Sequence, residues 1–187
     1  MNPKIIKSTK VFAFIFLLNG CTLNPLAVMP MAVMETKREA ANNYEKAKKL
    51  EDDGFPEQAF PLYRRAANGR HGLAAYVVGS YYAEGYQVPQ DFTTARRYFD
   101  VATFEQDIQE AYLYMADIDF NGKGNPKLMV RGYKWMLIAT RDNSLLRDEM
   151  RAEMDPQMTE KQIRLAQKHA VSWLNARKRS IDGVEIK

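Results

Sequence analysis

The sequence predicts an all-α fold of stacked helix hairpins, and three observations carry that prediction. From Thr36 onward apolar residues recur at helical spacing, with no run of alternating β-branched residues. Glycine-containing turns divide this stretch into segments of about 12 to 16 residues, close to the usual helix length. Small and aromatic residues return at a fixed interval along it, the mark of repeated supersecondary units.

Each helix has its own start and stop signals. Thr36 with Glu39 reads as a capping box opening the first helix, and Gly54 marks its end. Pro56 suits the first turn of a second helix that closes near Asn68-Gly69. The third runs from about Gly72 to Glu84 and stops at Gly85; Asp91 caps a fourth over about Phe92 to Glu105. A fifth covers about Gln109 to Phe120. Asn125-Pro126 supplies a cap and a first-turn proline for a sixth, reaching about Arg141. Ser144 to Met154 forms a seventh, and Thr159 with Gln162 opens a last helix to about Lys178.

The repeat is visible residue by residue. Ala74, Val78-Gly79, Tyr82, Gly85, Ala95, Tyr98 and Ala102 are followed, 37 positions on, by Ala111, Met115-Ala116, Asp119, Gly122, Gly132, Trp135 and Ala139. Ala59, Leu62 and Ala66 lie 36 positions before Ala95, Tyr98 and Ala102. Small residues recur where helices touch, and rings recur where a hairpin must be filled. The stretch AAYVVGSYYAEGYQVPQDFTTARRYFDVA resembles the Sel-one-like repeat (SLR), a short relative of the tetratricopeptide repeat. It departs from the pattern at Gln87, where a second loop glycine is expected. The next unit keeps Gly122 and Gly124 but has Asn125 for valine, Leu128 for aspartate and Asp119 for tyrosine. Met158 to Leu174 resembles the terminal helix of that family. The resemblance covers about residues 55 to 176. It implies a right-handed superhelical array of antiparallel hairpins over 36–178, followed by a tail at 179–187. It also implies a binding or scaffolding role without fixing one activity, and we expect no enzymatic activity and no cofactor.

The N-terminus reads as an export signal. Lys4, Lys7 and Lys10 precede the apolar run Val11 to Leu18, and Leu18-Asn19-Gly20-Cys21 follows with the only cysteine of the chain. Eight residues of helix span about 12 Å, short of a bilayer core of roughly 30 Å, so the run is a leader and not a membrane span. These residues resemble a bacterial lipobox. That resemblance implies cleavage after residue 20, lipid on Cys21 and, with Thr22 in place of an aspartate, the outer membrane facing the periplasm. Residues 21–35 then form a lipidated tether, with Pro25 and Pro30 opposing a regular helix.

Composition and motifs narrow the chemistry. The 27 basic residues less the three leader lysines leave 24 against 23 acidic ones, so the basic field that nucleic-acid binding needs is missing. One cysteine and two histidines exclude an internal disulfide and the usual zinc sets. Asp117 and Asp119 are two positions apart on a helix and should face opposite ways, which argues against a paired-carboxylate site. His71 and His169 read as solvated, and NGKGNPK at 121–127 as an interhelix turn lacking phosphate-loop spacing. No serine stands in a nucleophile motif. Tyr81, Tyr82, Tyr98, Phe99 and Trp135 read as core. Arg177-Lys178-Arg179 reads as a helix-end cluster complementing the helix dipole.

What remains is a surface. The third and fifth helices should line the concave face, with Tyr76, Ser80 and Glu84 and, 37 later, Leu113, Asp117 and Asn121 off the packed stripes. This aromatic-and-polar strip is the expected contact for an unidentified envelope protein; a carbohydrate or peptidoglycan binder is the alternative. The last helix carries Ile163, Ala166, Ala170, Trp173 and Leu174 as one apolar stripe and should cap the array, with Trp173 buried against the sixth or seventh helix.

Overall fold

A computed structural model describes residues 31–124 and 127–185, with side chains over 36–124 and 127–178. Eight α-helices follow one another: α1 (Met31–Asp52), α2 (Pro56–Asn68), α3 (Gly72–Glu84), α4 (Phe92–Gln106), α5 (Gln109–Asn121), α6 (Met129–Ala139), α7 (Ser144–Met154) and α8 (Glu160–Glu185). A single 3₁₀ turn, Asp155–Gln157, joins the last two. There is no strand among the described residues, and no described helix is long and apolar enough to cross a membrane.

The caps explain most boundaries. Asp91 accepts the backbone N–H groups of Thr93 and Thr94 at 2.9 and 3.1 Å and starts α4. Before α8, Gln162 N–H donates to Thr159 Oγ1 at 3.3 Å while Thr159 N–H donates to Gln162 Oε1 at 2.8 Å, the reciprocal capping box the sequence announced. Pro56 stands in the first turn of α2, and Gly85 closes α3 in the left-handed conformation at φ 73°.

Three boundaries differ from the sequence reading. Helix α1 begins at Met31, so Thr36 and Glu39 lie inside it and not at its start, and residues 31–35 of the expected tether are helical. This helix packs along α2 and runs without a break from Met31 to Asp52. Helix α6 starts at Met129 behind Leu128, three residues after the proline expected in its first turn; Asn125 and Pro126 lie outside the described residues. Helix α8 runs on to Glu185, through what read as a tail. No proline and no helix-ending glycine turn interrupts it there. Cys21, the leader and the tether to residue 30 lie outside the described residues.

Helices pair as α1·α2, α3·α4 and α5·α6, and successive pairs stack through α2·α3 and α4·α5; α8 covers α6. The repeat's small residues sit at the tightest crossings: Ala59, Ala66, Ala74, Ala95, Ala102, Ala111 and Ala139 are fully buried. Gly132 lets α6 reach the α5 backbone, since a Cβ there would stand 2.5 Å from Phe120 N. Within and between the hairpins, tyrosine hydroxyls clasp carboxylates. Glu51 of α1 accepts from Tyr63 of α2 and Tyr81 of α3, both at 2.6 Å, and Glu84 of α3 accepts from Tyr114 of α5. Tyr133 of α6 donates to Asp155 at 2.6 Å. The Tyr63 bond closes the α1·α2 hairpin, the Tyr81, Tyr114 and Tyr133 bonds each reach past the intervening element, and the charged acceptor makes each stronger than a neutral pair.

Candidate partner-binding surface

The residues expected to form the strip on α3 and α5 are held in place by contacts among themselves and with the core. Tyr76 and Leu113 are half-buried and pack against the core. The Tyr76 ring lies 6.3 Å from both Phe99 and Tyr114, and Tyr114 stacks on Phe99 at 4.7 Å. Glu84 is exposed, yet its carboxylate accepts from Tyr114. Ser80 donates to Val77 O at 2.8 Å. Asn121 and Lys123 donate to the two Asp117 oxygens at 2.7 and 2.5 Å. Asp117 and Asn121 also edge a hollow of about 110 Å³ against Met150, Glu153 and Met154, which places α7 at the end of the strip. The structure thus joins Tyr76 to Glu84 through Tyr114, a residue the sequence reading passed over. The signal was present: Glu51 with Tyr81 and Glu84 with Tyr114 share a separation of 30.

Asp117 and Asp119 do point apart. Asp119 is 3% exposed and forms the centre of a charge cluster. It accepts from Arg96 of α4 at 3.1 Å, from Arg131 of α6 at 2.5 and 2.6 Å, and from the Trp135 indole at 3.1 Å. The aspartate standing where the repeat has tyrosine therefore joins α4, α5 and α6. Lys134 lies against this cluster, its Nζ 3.2 Å from the Trp135 ring centroid. Burial pushes it down to about 8, with Asp119 pulling the other way. A second anionic junction is Asp107, in the left-handed conformation after α4. It accepts from Tyr112 and Arg141, both at 2.9 Å, and lies 3.6 Å from Arg177 Nε. Among the described residues no three His, Cys, Asp or Glu side chains are placed to hold a metal ion.

Three sequence assignments are corrected. His71 is not simply solvated: its Nδ1 caps α3 by accepting from Ala74 N–H at 3.3 Å, and its ring stacks on Tyr44 at 4.4 Å. Burial accordingly lowers its pKa, with Glu45 opposing. Arg177 does not sit at a helix end. Its guanidinium donates to Thr103 O and Phe104 O at 2.8 and 3.2 Å, so it clasps α8 to the end of α4. Trp173 is only half-buried, edge-on to Tyr112 of α5 at 5.4 Å and Trp135 of α6 at 5.9 Å. Its other side lines an open groove between α6 and α8, which is the larger concavity of the two.

No protein-family model matches the chain, and no curated protein matches it in sequence. Solved structures do match in shape. A protective antigen present in uropathogenic Escherichia coli strains, displaying an SLR fold, superposes with a TM-score of 0.64 at 20% identity over 79% of this chain. The chain spans 33% of that protein's length. A Sel1 repeat protein from Oxalobacter formigenes superposes with a TM-score of 0.52 at 22% identity, over 66% of this chain and 99% of that one. Together with the stacked hairpins and the small residues at their crossings, these likenesses show that the chain has the SLR fold, an all-α helical-repeat solenoid.

Proposed function

We propose that the chain is a lipid-anchored, non-enzymatic adaptor of the bacterial cell envelope, with the α3/α5 strip as its contact for another envelope protein. The observation that supports this most is the strip itself. Tyr76 and Leu113 stay half-open between Glu84, Asp117 and Asn121, an aromatic and an aliphatic anchor within a polar rim. A helical array offers such a surface without added elements. The sugar-binding alternative requires open rings. On the repeat's stripes Phe99, Tyr81 and Trp135 are instead buried and Tyr82 and Tyr98 stack on each other at 6.0 Å; of the exposed rings, Tyr86 packs edge-on to Tyr81 and Phe104 lies under Arg70.

Two experiments test the two halves of the proposal. Cys21→Ser removes the only thiol, and the protein is expected to leave the membrane fraction or remain uncleaved; a mature, membrane-bound Cys21→Ser protein ends the lipidation reading. For the surface, crosslinking and pull-down from solubilised membranes should lose a partner in Tyr76→Gln/Leu113→Gln and in Asp117→Lys. The last changes an exposed ion pair and leaves the core alone. Unchanged recovery with folded variants refutes the strip, and co-sedimentation with purified cell-wall sacculi would favour the sugar reading.

A further inference from the structure

We infer that the groove between α6 and α8 is a second docking site, shaped and charged to seat an amphipathic helix whose apolar stripe is edged with carboxylates. The site is separate from the α3/α5 strip and does not depend on the lipid anchor. Its volume is about 720 Å³. On α8 it extends from Gln162 to Ala176, about 21 Å of helix or four turns. On α6 it takes in the first turns and the chain leading into them.

The lining has two parts. Leu128, Val130, Trp173 and Ala176 give an apolar floor. Every ionisable side chain that lines it is a base: Lys127, Arg131, Lys134 and His169. Asp119 lies behind Arg131 and is paired with it and with Arg96, which Asp100 also faces at 3.6 Å, so these acids are engaged by the two arginines behind the groove. Lys127 and Lys134 are left to face an incoming anion. Burial depresses Lys134 even though Asp119 and Asp100 pull the other way, and a partner carboxylate in the groove would draw it back up.

The shape selects among anionic amphiphiles. The groove is open along one side and walled by two helices, so a third helix can lay a row of side chains between them, as helices pack elsewhere in the array. A single acyl chain in so open a trough would keep much of its length in water, which works against the burial that would hold it. Trp173 has one side against Tyr112 and Trp135 and its other side open to the groove, the position of an aromatic anchor.

The test uses the purified full-length chain and defined probes. One is a helical peptide with leucines spaced by three and four and glutamates on both flanks; its counterpart carries lysine for each glutamate. Tryptophan fluorescence reports on the site, because Trp135 is 6% exposed and Trp173 lines the groove. The acidic peptide is expected to saturate the signal at least about tenfold more tightly than the basic one, and to weaken with salt. Ala176→Glu should reduce acidic-peptide affinity about tenfold, while Ala176→Arg, similar in bulk and opposite in charge, should not reduce it. Both replace an exposed helical alanine, and their melting should match the parent. Equal affinity for the two peptides, or equal effects of the two Ala176 variants, overturns the proposal. So does saturation by oleate with no response to either peptide, which would make the groove a lipid site. Tyr76→Gln should leave peptide binding unchanged, so failure here and failure of the α3/α5 strip read out separately.

Discussion

At the residue scale, single positions explain departures from the repeat that the sequence alone left open. Gln87 stands where the pattern calls for glycine, and its φ is +62°; Gly124, 37 positions on, has φ +71°. The loop geometry is thus the same in both units, and only one of them uses the residue that adopts it without cost. A left-handed non-glycine costs about 1–2 kcal/mol, and glycine forfeits about 0.5–1 kcal/mol of chain entropy. Gln87→Gly is therefore expected to stabilise slightly, raising the melting temperature by about 1–3 °C. A calorimetric scan checks it, and a lower melting temperature contradicts it. Asp119 makes the opposite case. Asp119→Asn keeps the shape but leaves Arg96 and Arg131 facing a neutral amide. Breaking such a buried pair costs on the order of 3 kcal/mol, moderated here because the Arg131 side chain is 38% exposed. Lys134 loses its nearest favourable charge, so its pKa should fall further below about 8, which NMR titration of the lysine can follow.

At the scale of elements, close approach matters more than helix propensity. Alanine is ordinarily better than glycine within a helix. At Gly132 the added Cβ would lie 2.5 Å from Phe120 N and 2.8 Å from Ala116 O, both backbone atoms of α5 that no rotamer change can move. Gly132→Ala should therefore destabilise by about 1–3 kcal/mol, lowering melting by about 3–10 °C. Gly79 differs, because its neighbour is the Phe99 ring, a side chain that can shift. Unfolding curves of the two alanine variants side by side measure that difference; equal losses would mean the crossings are looser than described. Helix α8 shows the same priority. Its stripe of Ile163, Ala166, Ala170, Trp173 and Leu174 joins the core as the sequence anticipated, and Arg177 adds a clasp to α4 that no local pattern announces.

For the molecule as a whole, the tyrosine clasps set how stability responds to alkali. Burial, followed by a neighbouring acid, raises Tyr63, Tyr81, Tyr112 and Tyr114 well above the usual tyrosine value and Tyr133 to about 12. In the unfolded chain the same phenols ionise near 10. The unfolded state therefore releases protons first, and the contribution of the clasps is whole below pH about 10 and lost above it. Lys134 works in the other direction. With its folded pKa near 8, below the unfolded value of about 10.4, it adds stability as pH rises between the two. The expected profile is a melting temperature level or slightly rising from pH 8 to about 10, then a steep fall. Tyr81→Phe should soften that fall, and an unaltered alkaline limb would show that the Glu51 clasp contributes little.

The sequence by itself determined the array. Helix periodicity, glycine turns, caps at Asp91 and Thr159 and the 37-residue return of small residues are local or evenly spaced signals, and each reports on backbone conformation or on the one face a helix must bury. That is why α2, α3 and α7 coincide with their expected limits. Tertiary structure decided what depends on partners distant in the chain. Glu84 is a clasp for Tyr114, Asp119 holds Arg96 and Arg131, Asp107 gathers Tyr112 and Arg141, and Arg177 reaches back 74 positions to Thr103. A carboxylate or guanidinium carries no periodicity that reveals its partner. The groove beside Trp173 was hidden for the same reason, since a concavity belongs to the packing of α6 against α8 and to neither helix alone.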